Sequence, residues 1–239
     1  VHIAAANNLE LAGLADLNEM EAVGSSPQVN IIVQIDRSPD YVTLDGDWSE
    51  TRRYYIQQDD DPQKITSPVV ASLGDLDSGS AETIADFAIW GINTYRANKY
   101  MLVLWDHGGG WISHSSDETS GSDITLPETV AAVERVVAET GIGQFEVIGF
   151  DMCLMGQLEV YQAMAPFARY GIASQENEPG AGWFYVFLDE LVQNPAMDGA
   201  QLGQHGLDNF MYFLSEVLGD QDFYGVAALD LRRRAPLMD

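Results

Sequence analysis

Cysteine is almost absent from this 239-residue chain, where it occurs once, as Cys153. A single cysteine excludes an intrachain disulfide and a zinc site built from several thiolates. Taken alone, one cysteine is typical of a small apolar side chain in a protein core. Cys153 therefore becomes a candidate for chemistry only through the residues that surround it.

Basic residues are also scarce. Lys and Arg number 11 against 37 Asp and Glu, which gives a formal net charge of −26. Because nucleic acids and anionic membrane surfaces are bound by clustered Lys and Arg, this balance argues against both partners. The acidic composition favours a secreted or cell-envelope protein or a cationic partner, although it serves solubility equally well.

Long hydrophobic runs are missing as well. No stretch approaches the ~20 apolar residues that cross a bilayer, so we predict no membrane insertion. Neither end carries a recognisable targeting segment. The hydrophobic content of 46% over 239 residues is enough for one packed core. We predict a single monomeric domain over residues 1–239, with truncation at both ends relative to a longer precursor as an open alternative.

Apolar runs alternate with helical patterns along the chain. Runs over 29–35, 100–105 and 145–150 are predominantly apolar, as expected of strands buried on both faces of a sheet. Helices are predicted over 8–23, 81–97, 127–140, 154–164, 184–192 and 200–218. The remaining predictions are strands at 1–5, 170–174 and 223–229, a hairpin excursion over 36–58 and a polar loop over 113–125. This order predicts an α/β fold with a mostly parallel central sheet and helices on both faces.

Two loops follow predicted strands at the sheet edge where α/β proteins form their sites. In the first, DHGGGW, His107 precedes three glycines, whose backbone can approach a ligand closely and whose N–H groups can face a developing oxyanion. In the second, DMCLMG, Cys153 follows the next strand and stands just before a predicted helix, a position that favours the thiolate form.

The spacing of these two residues links them. They are 153 − 107 = 46 residues apart, the length of a single crossover connection, which predicts neighbouring strands. Each residue alone also fits an ordinary turn histidine or a buried thiol. Together, His107 and Cys153 fit a nucleophile beside its proton carrier.

Other catalytic signatures are missing from the sequence. The chain has no G-x-S-x-G nucleophile elbow and no G-x-G-x-x-G dinucleotide motif. His2 lies at the chain start, His114 in the predicted polar loop and His205 on a predicted helix, and no pair of them has the spacing of metal ligands. We therefore predict no metal site built on histidines.

The segments VLWDHGGGW and IGFDMCLMGQLEVY resemble the His and Cys blocks of clostripain-like cysteine peptidases, relatives of the gingipains, legumains and caspases. Further matches extend over nearly the whole chain: AAANNLELAGLADLNEME, VQIDR, WSETRRYYI, LGDLDSGSAETIADFAIWG and SQENEPGAGWFY. The resemblance implies a caspase-like three-layer α/β sandwich that hydrolyses peptide bonds with a Cys/His dyad. It makes Cys153 the nucleophile, His107 its proton-handling partner, and the N–H groups of Gly108 and Cys153 the oxyanion hole.

The resemblance also implies protein or peptide substrates with Arg or Lys before the scissile bond. The acidic floor of the specificity pocket then maps to Asp151, two positions before the cysteine, although an Asp here also fits a cap for the following helix. Glu176 is a second candidate for this pocket, with Ser174 and Trp183 as lining residues. Glu176 and Glu178 fit equally well as solvated loop charges.

The resemblance requires no cofactor, but calcium supports activity in some relatives. The Asp-rich segment 59–61 and the pair Asp75 and Asp77 make calcium binding a hypothesis, although neither follows the EF-hand pattern. Ala6 stands where relatives often carry an acidic residue.

Two other functions compete with a peptidase. One is a catalytically silent domain of the same fold that uses its acidic groove to bind cationic peptides; an intact His107/Cys153 pair argues against it. The other is a redox- or metal-sensing domain, which the absence of a second cysteine to resolve an oxidised Cys153 disfavours.

Overall fold

A computed structural model describes residues 1–217 and 225–232 of the chain. The strands in these ranges are β1 His2–Ala5, β2 Ile32–Arg37, β3 Thr51–Tyr55, β4 Val69–Ser72, β5 Met101–Trp105, β6 His114–Asp117, β7 Ser122–Ile124, β8 Phe145–Asp151, β9 Ala168–Ser174 and β10 Val226–Asp230. The α-helices are α1 Glu10–Val23, α2 Ala81–Thr94, α3 Leu126–Thr140, α4 Leu158–Met164, α5 Leu188–Gln193 and α6 Gly199–Tyr212.

Eight strands form the central sheet, in the order β10-β9-β8-β5-β1-β2-β3-β4. The five in the middle, from β9 to β2, run parallel. Antiparallel strands close both sides, with β10 beside β9 and with β3 and β4 beyond β2. The predicted mostly parallel sheet is confirmed. Of the hairpin predicted over 36–58, the structure shows one strand, β3, which runs antiparallel to β2.

Helices cover both faces of this sheet. Side chains of α1, α5 and α6 pack on one face, and those of α2, α3 and α4 pack on the other. The strands supply both cores by alternation: in β5, Val103 and Trp105 join the α1 side, whereas Leu102 and Leu104 join the α2 side. This explains the predominantly apolar strand sequences and confirms the three-layer α/β arrangement.

The prediction of a polar loop over residues 113–125 is wrong. This segment forms the antiparallel pair β6–β7, which lies outside the main sheet. Three of its polar side chains, His114, Ser115 and Asp117, are buried. The Nε2 atom of His114 lies 2.7 Å from Thr129 Oγ1, and its Nδ1 atom lies 2.8 Å from Ser115 Oγ. Polar composition did not indicate exposure here because these groups satisfy one another.

The predicted helix start at residue 154 is also wrong. The helix α4 begins at Leu158, five residues after Cys153, and Leu154 adopts the left-handed conformation at φ 64°. The intervening backbone pairs with the end of β9 and the chain just after it, since Gly156 N–H donates to the Ser174 carbonyl at 2.5 Å and Leu154 N–H donates to the Glu176 carbonyl at 3.0 Å. Cys153 therefore sits in a turn between strand and helix and not at a helix N-terminus.

The remaining boundaries differ by a few residues. The predicted helix at 184–192 is a 3-10 turn, Tyr185–Phe187, followed by α5, and α6 continues as a π turn, Phe213–Val217. The strand β4 was not predicted, and positions 218 and 223–224 of the predictions lie outside the described residues. None of the helices in residues 1–217 and 225–232 combines the length and apolarity of a membrane span.

Candidate active site

The loops that carry His107 and Cys153 meet at one edge of the sheet. The strands β5 and β8 are paired in parallel with Trp105 opposite Asp151, so each candidate residue lies two positions beyond a paired residue. The loops touch directly at Gly108, where an added Cβ would lie 2.1 Å from the carbonyl oxygen of Cys153. The prediction that these two strands are neighbours is confirmed.

The imidazole of His107 is oriented by one hydrogen bond. Its Nε2 atom lies 2.7 Å from the side-chain oxygen of Asn8. Because that oxygen can only accept, Nε2 carries the proton and Nδ1 keeps the lone pair that a general base needs. Partial desolvation lowers the pKa of His107, against a smaller opposing effect from the charge of Glu118. The net lowering of the pKa favours a neutral imidazole that can accept a proton near neutral pH.

Asn8 was matched in the sequence only as part of the AAANN segment, without a role. Its position is fixed by the preceding Asn7, which is buried and donates from Nδ2 to Asp106 Oδ1 at 2.7 Å and to the Ser116 carbonyl at 2.9 Å. These bonds tie the start of α1 to the His107 loop. The only feature of the sequence that could have indicated a role for Asn8 was the polar pair Asn7-Asn8 shortly after a buried strand. Such a pair does not indicate which side chain it will hydrogen-bond.

Replacing Asn8 with alanine is expected to lower kcat about 10- to 100-fold, because the imidazole loses the acceptor that sets its tautomer and orientation. KM should change little, since Asn8 acts through His107. The control is Asn93→Ala, which removes an exposed amide of α2 that accepts from Arg96. Steady-state kinetics of both variants check this, and an Asn8→Ala enzyme with wild-type kcat would contradict the assigned role.

The thiol of Cys153 is half-buried against the loop 175–184 that follows β9. The N–H of Glu178 lies 3.3 Å from Sγ, and the carbonyl of Glu178 lies 3.8 Å from it. The N–H donor can stabilise negative charge on sulfur, and the carbonyl can accept the S–H of the neutral thiol. This loop is therefore the wall of the site that faces the sulfur.

Two backbone donors near the sulfur are unused. Among the hydrogen bonds of the described residues, the N–H groups of Gly108 and Cys153 donate to no protein acceptor. The contact between Gly108 and the carbonyl of Cys153 keeps these two residues together. Free N–H donors beside a nucleophile are the arrangement that an oxyanion hole requires.

Asp151 is buried at the end of β8. Its two oxygens accept the N–H of Trp183 at 3.0 and 3.1 Å, and Oδ2 also accepts the hydroxyl of Tyr185 at 2.9 Å. Burial raises the pKa of Asp151 to about 6, and a side-chain hydrogen bond with Glu178, followed by the bonds from Trp183 and Tyr185, opposes the shift. The alternative interpretation, a cap for α4, is wrong because the bonds of Asp151 lead to the 175–184 loop and the turn after it.

The other predicted pocket residues occupy different positions around this loop. Ser174 is buried, and its hydroxyl accepts the N–H of Glu176, whose side chain is exposed. Trp183 is buried and packs beside Tyr185. Glu178 is the acid that turns inward: its Oε1 atom accepts the indole N–H of Trp183 at 3.3 Å, and the charge of Asp151 raises its pKa further than burial alone does.

Two pockets of the described part of the chain bear on the location of the site. The larger, about 790 Å³, opens at the amino ends of the strands, beside Val1, Ile31 and Met101, and has neither His107 nor Cys153 in its lining. The smaller, about 480 Å³, is lined by Asn8, the partner of His107, and by Gly180 of the 175–184 loop. Only the smaller cavity adjoins the candidate site.

Metal binding finds no support in the described residues. Within 1–217 and 225–232, no three His, Cys, Asp or Glu side chains are grouped as a metal ion would require. Asp59 instead accepts from Thr66, and Asp77 from Ser122. Calcium binding therefore stays a hypothesis.

Comparison with known sequences gives a consistent match. The sequence profile of the Clostripain family matches residues 1–231. Clostripain from Hathewaya histolytica is 27% identical over 184 residues, which cover 67% of this chain and 34% of clostripain. The chain thus spans about a third of the length of that relative.

Comparison with solved structures shows the fold. A secreted C11 cysteine protease from Bacteroides thetaiotaomicron in complex with an irreversible peptide inhibitor superposes with a TM-score of 0.68 at 20% identity, over 90% of this chain and 57% of that one. The secreted protease from the same organism called iotapain gives 0.71 at 17% identity, over 97% and 65%. An inactive zymogen C11 protease from Parabacteroides distasonis gives 0.70 at 21%, over 97% and 60%. The predicted caspase-like sandwich is confirmed.

Proposed function

Because the chain belongs to the clostripain family, we propose that it forms the catalytic part of a cysteine endopeptidase with Cys153 and His107 as its dyad. The observation that carries this proposal is their position. They follow the carboxyl ends of paired strands, and their loops are in contact through Gly108. Two further features support the proposal. Asn8 gives His107 an acceptor that orients its ring, and two backbone N–H donors beside the sulfur are free.

The proposed reaction has two halves. In the first, Nδ1 of His107 accepts the thiol proton, and Cys153 Sγ attacks the peptide carbonyl, whose oxygen becomes an oxyanion held by the N–H groups of Gly108 and Cys153. The C–N bond then breaks as His107 returns the proton to the leaving amine, which leaves a thioester. In the second half, His107 takes a proton from water, the hydroxide attacks the thioester, and the sulfur departs and is reprotonated.

We also propose that cleavage follows Arg or Lys. Asp151 and Glu178 lie beside the nucleophile and form no ion pair with a Lys, Arg or His of the described residues. Desolvated carboxylates without a resident cation favour a cationic ligand. The substrates would then be proteins or peptides with basic residues, and the secreted solved relatives support a site of action outside the cell.

The test is a set of fluorogenic peptides that differ only in the residue before the cleaved bond: Arg, Lys, Asp or Asn. Wild-type protein is expected to prefer Arg and Lys by at least about 100-fold, and Cys153→Ala serves as the control for contaminating peptidases. Turnover that survives in Cys153→Ala, or absence of turnover with every peptide, would overturn the peptidase. Binding of basic peptides without cleavage would instead favour the silent acidic binding domain.

A further inference from the structure

The turn that follows His107 presents two large apolar side chains to solvent. Trp111 and Ile112 have 58% and 62% of their surface exposed. A single exposed apolar residue is ordinary, but two in succession beside a reactive group are typical of a surface that binds a partner. The proposed reaction uses His107 and Gly108 of this turn, but it uses neither Trp111 nor Ile112.

Backbone hydrogen bonds hold the base of this turn. The N–H of Ser115 donates to the carbonyl of His107 at 3.3 Å, and the N–H of Gly109 donates to the carbonyl of Ser113 at 2.8 Å. These two bonds enclose the segment 110–112, which forms the tip of the turn. The two apolar residues at the tip are therefore anchored to the backbone of the histidine that the reaction requires.

The turn also packs beside the loop that carries the nucleophile. Gly110 is buried, and an added Cβ there would lie 2.5 Å from the side-chain nitrogen of Gln157. Gln157 is four residues after Cys153 and directly before Leu158, the first residue of α4, which is 53% exposed. Exposed apolar side chains thus follow both members of the candidate dyad, on two loops that are in contact.

The chemistry of the proposed reaction separates the two halves of a substrate. The acyl half stays bonded to Cys153 Sγ as the thioester, and the 175–184 loop, which carries Glu176 and Glu178, is the wall that faces the sulfur. The amine half takes its proton from His107, so it leaves along the side of the site that the His107 turn forms. Residues 108–113 include no charged side chain. This side of the site therefore suits apolar residues and not basic ones.

We infer that Trp111 and Ile112 form a binding surface for the amine half of the substrate and select large apolar side chains directly after the cleaved bond. This inference rests on the proposed function, because it names a second specificity of the same site. An apolar substrate side chain that covers the indole and the isoleucine removes apolar surface from water on both partners. The indole also offers a wide rigid face, which loses little conformational entropy on binding.

The test uses internally quenched peptides that carry the preferred residue, expected to be Arg, before the cleaved bond and either Leu-Leu or Ser-Ser after it. A methyl ester of the same acyl half, whose leaving group contains no residue, is the third substrate. Wild type is expected to cleave the Leu-Leu peptide with about 10-fold higher kcat/KM than the Ser-Ser peptide. Trp111→Ala should lose most of this ratio, whereas its kcat/KM for the Ser-Ser peptide and the ester should change less than about twofold.

Three further variants complete the comparison. Trp111→Phe keeps an aromatic face and should retain most of the Leu-Leu preference, whereas Ile112→Ala should lower it about threefold. Leu229→Ala removes an apolar side chain that is 42% exposed on β10, three strands away from β5, and should leave the preference unchanged. Because all three side chains are exposed, the melting temperatures of the variants should stay close to that of wild type.

The inference is overturned if wild type shows no Leu-Leu preference, or if Trp111→Ala keeps it. An equal loss of kcat/KM with the methyl ester would also overturn it, because Trp111 would then act on His107 and not on the substrate. A large fall in melting temperature without a change in the Leu-Leu preference would show that the turn is covered by another part of the protein or by a second copy, and the inference fails there too. Absence of Cys153-dependent turnover with every substrate would instead overturn the proposed peptidase.

Discussion

The His107→Ala variant is expected to lose about a thousandfold in kcat/KM while it keeps its fold. His107 lies on a solvent-exposed loop after β5, and its recorded hydrogen bond is to Asn8, so removal of the ring takes little from the core. It does remove the base that receives the thiol proton and the acid that protonates the leaving amine. Steady-state kinetics combined with thermal unfolding separates these two effects.

A double variant tests whether His107 and Cys153 act together. If His107 and Cys153 act as one unit, His107→Ala combined with Cys153→Ala should be no slower than Cys153→Ala alone, because the histidine has no role without the sulfur. The matched control is His205→Ala, which removes a half-buried histidine of α6. An enzyme that keeps more than a tenth of its activity without His107 would show that another group handles the proton.

The pH profile follows from the same imidazole. Only neutral His107 can accept the proton, and that form predominates above its pKa. Because desolvation lowers this pKa below the ordinary 6.5, activity on a neutral substrate should persist below pH 6.5 and decline only in more acidic buffer. A decline that begins well above pH 7 would contradict the neutral-imidazole state of the free enzyme.

The main strands and the proximity of the two candidate loops could be predicted from the sequence because burial on both faces leaves a predominantly apolar run. Such runs marked the strands before His107 and Cys153, and the 46-residue interval permitted one crossover. Neither observation alone predicted the register of β5 and β8, in which Trp105 lies opposite Asp151. Once the two strands are neighbours, this register brings both loops to one edge of the sheet. Local pattern and chain length were therefore sufficient to place His107 and Cys153 at the same edge of the sheet.

The polar surroundings of the dyad could not be predicted in the same way. His114 and Ser115 look exposed in a Ser- and Asp-rich segment, yet they are buried because they bond to each other and to Thr129. Likewise, Asp16 and Glu178 approach Asp151 only through the packing of α1 and the 175–184 loop. Hydrophobic periodicity carries information about which face is apolar, but it carries none about which polar groups will become partners across the fold.

Glycine at position 108 is expected to be as necessary as the dyad itself, with Gly108→Ala lowering kcat/KM at least about 100-fold. Its φ lies outside the left-handed region, so the requirement is one of space. An alanine Cβ would lie 2.1 Å from the carbonyl oxygen of Cys153 and 2.9 Å from the Cβ of Met152. Neither the backbone nor a Cβ can move aside as a flexible side-chain end does, so the His107 loop and the nucleophile must separate.

The matched control for that variant is Gly206→Ala on α6, where a new Cβ would meet Phe187 at an ordinary contact distance of 3.7 Å. We expect Gly206→Ala to keep wild-type activity and to gain a little stability, since alanine favours the helix over glycine. Gly108→Ala should instead lose activity far beyond any change in melting temperature, and alkylation of its Cys153 should slow because the thiol loses its proton acceptor. Wild-type turnover in Gly108→Ala would mean that the two loops need not touch for catalysis, and the contact at Gly108 could then no longer support the dyad.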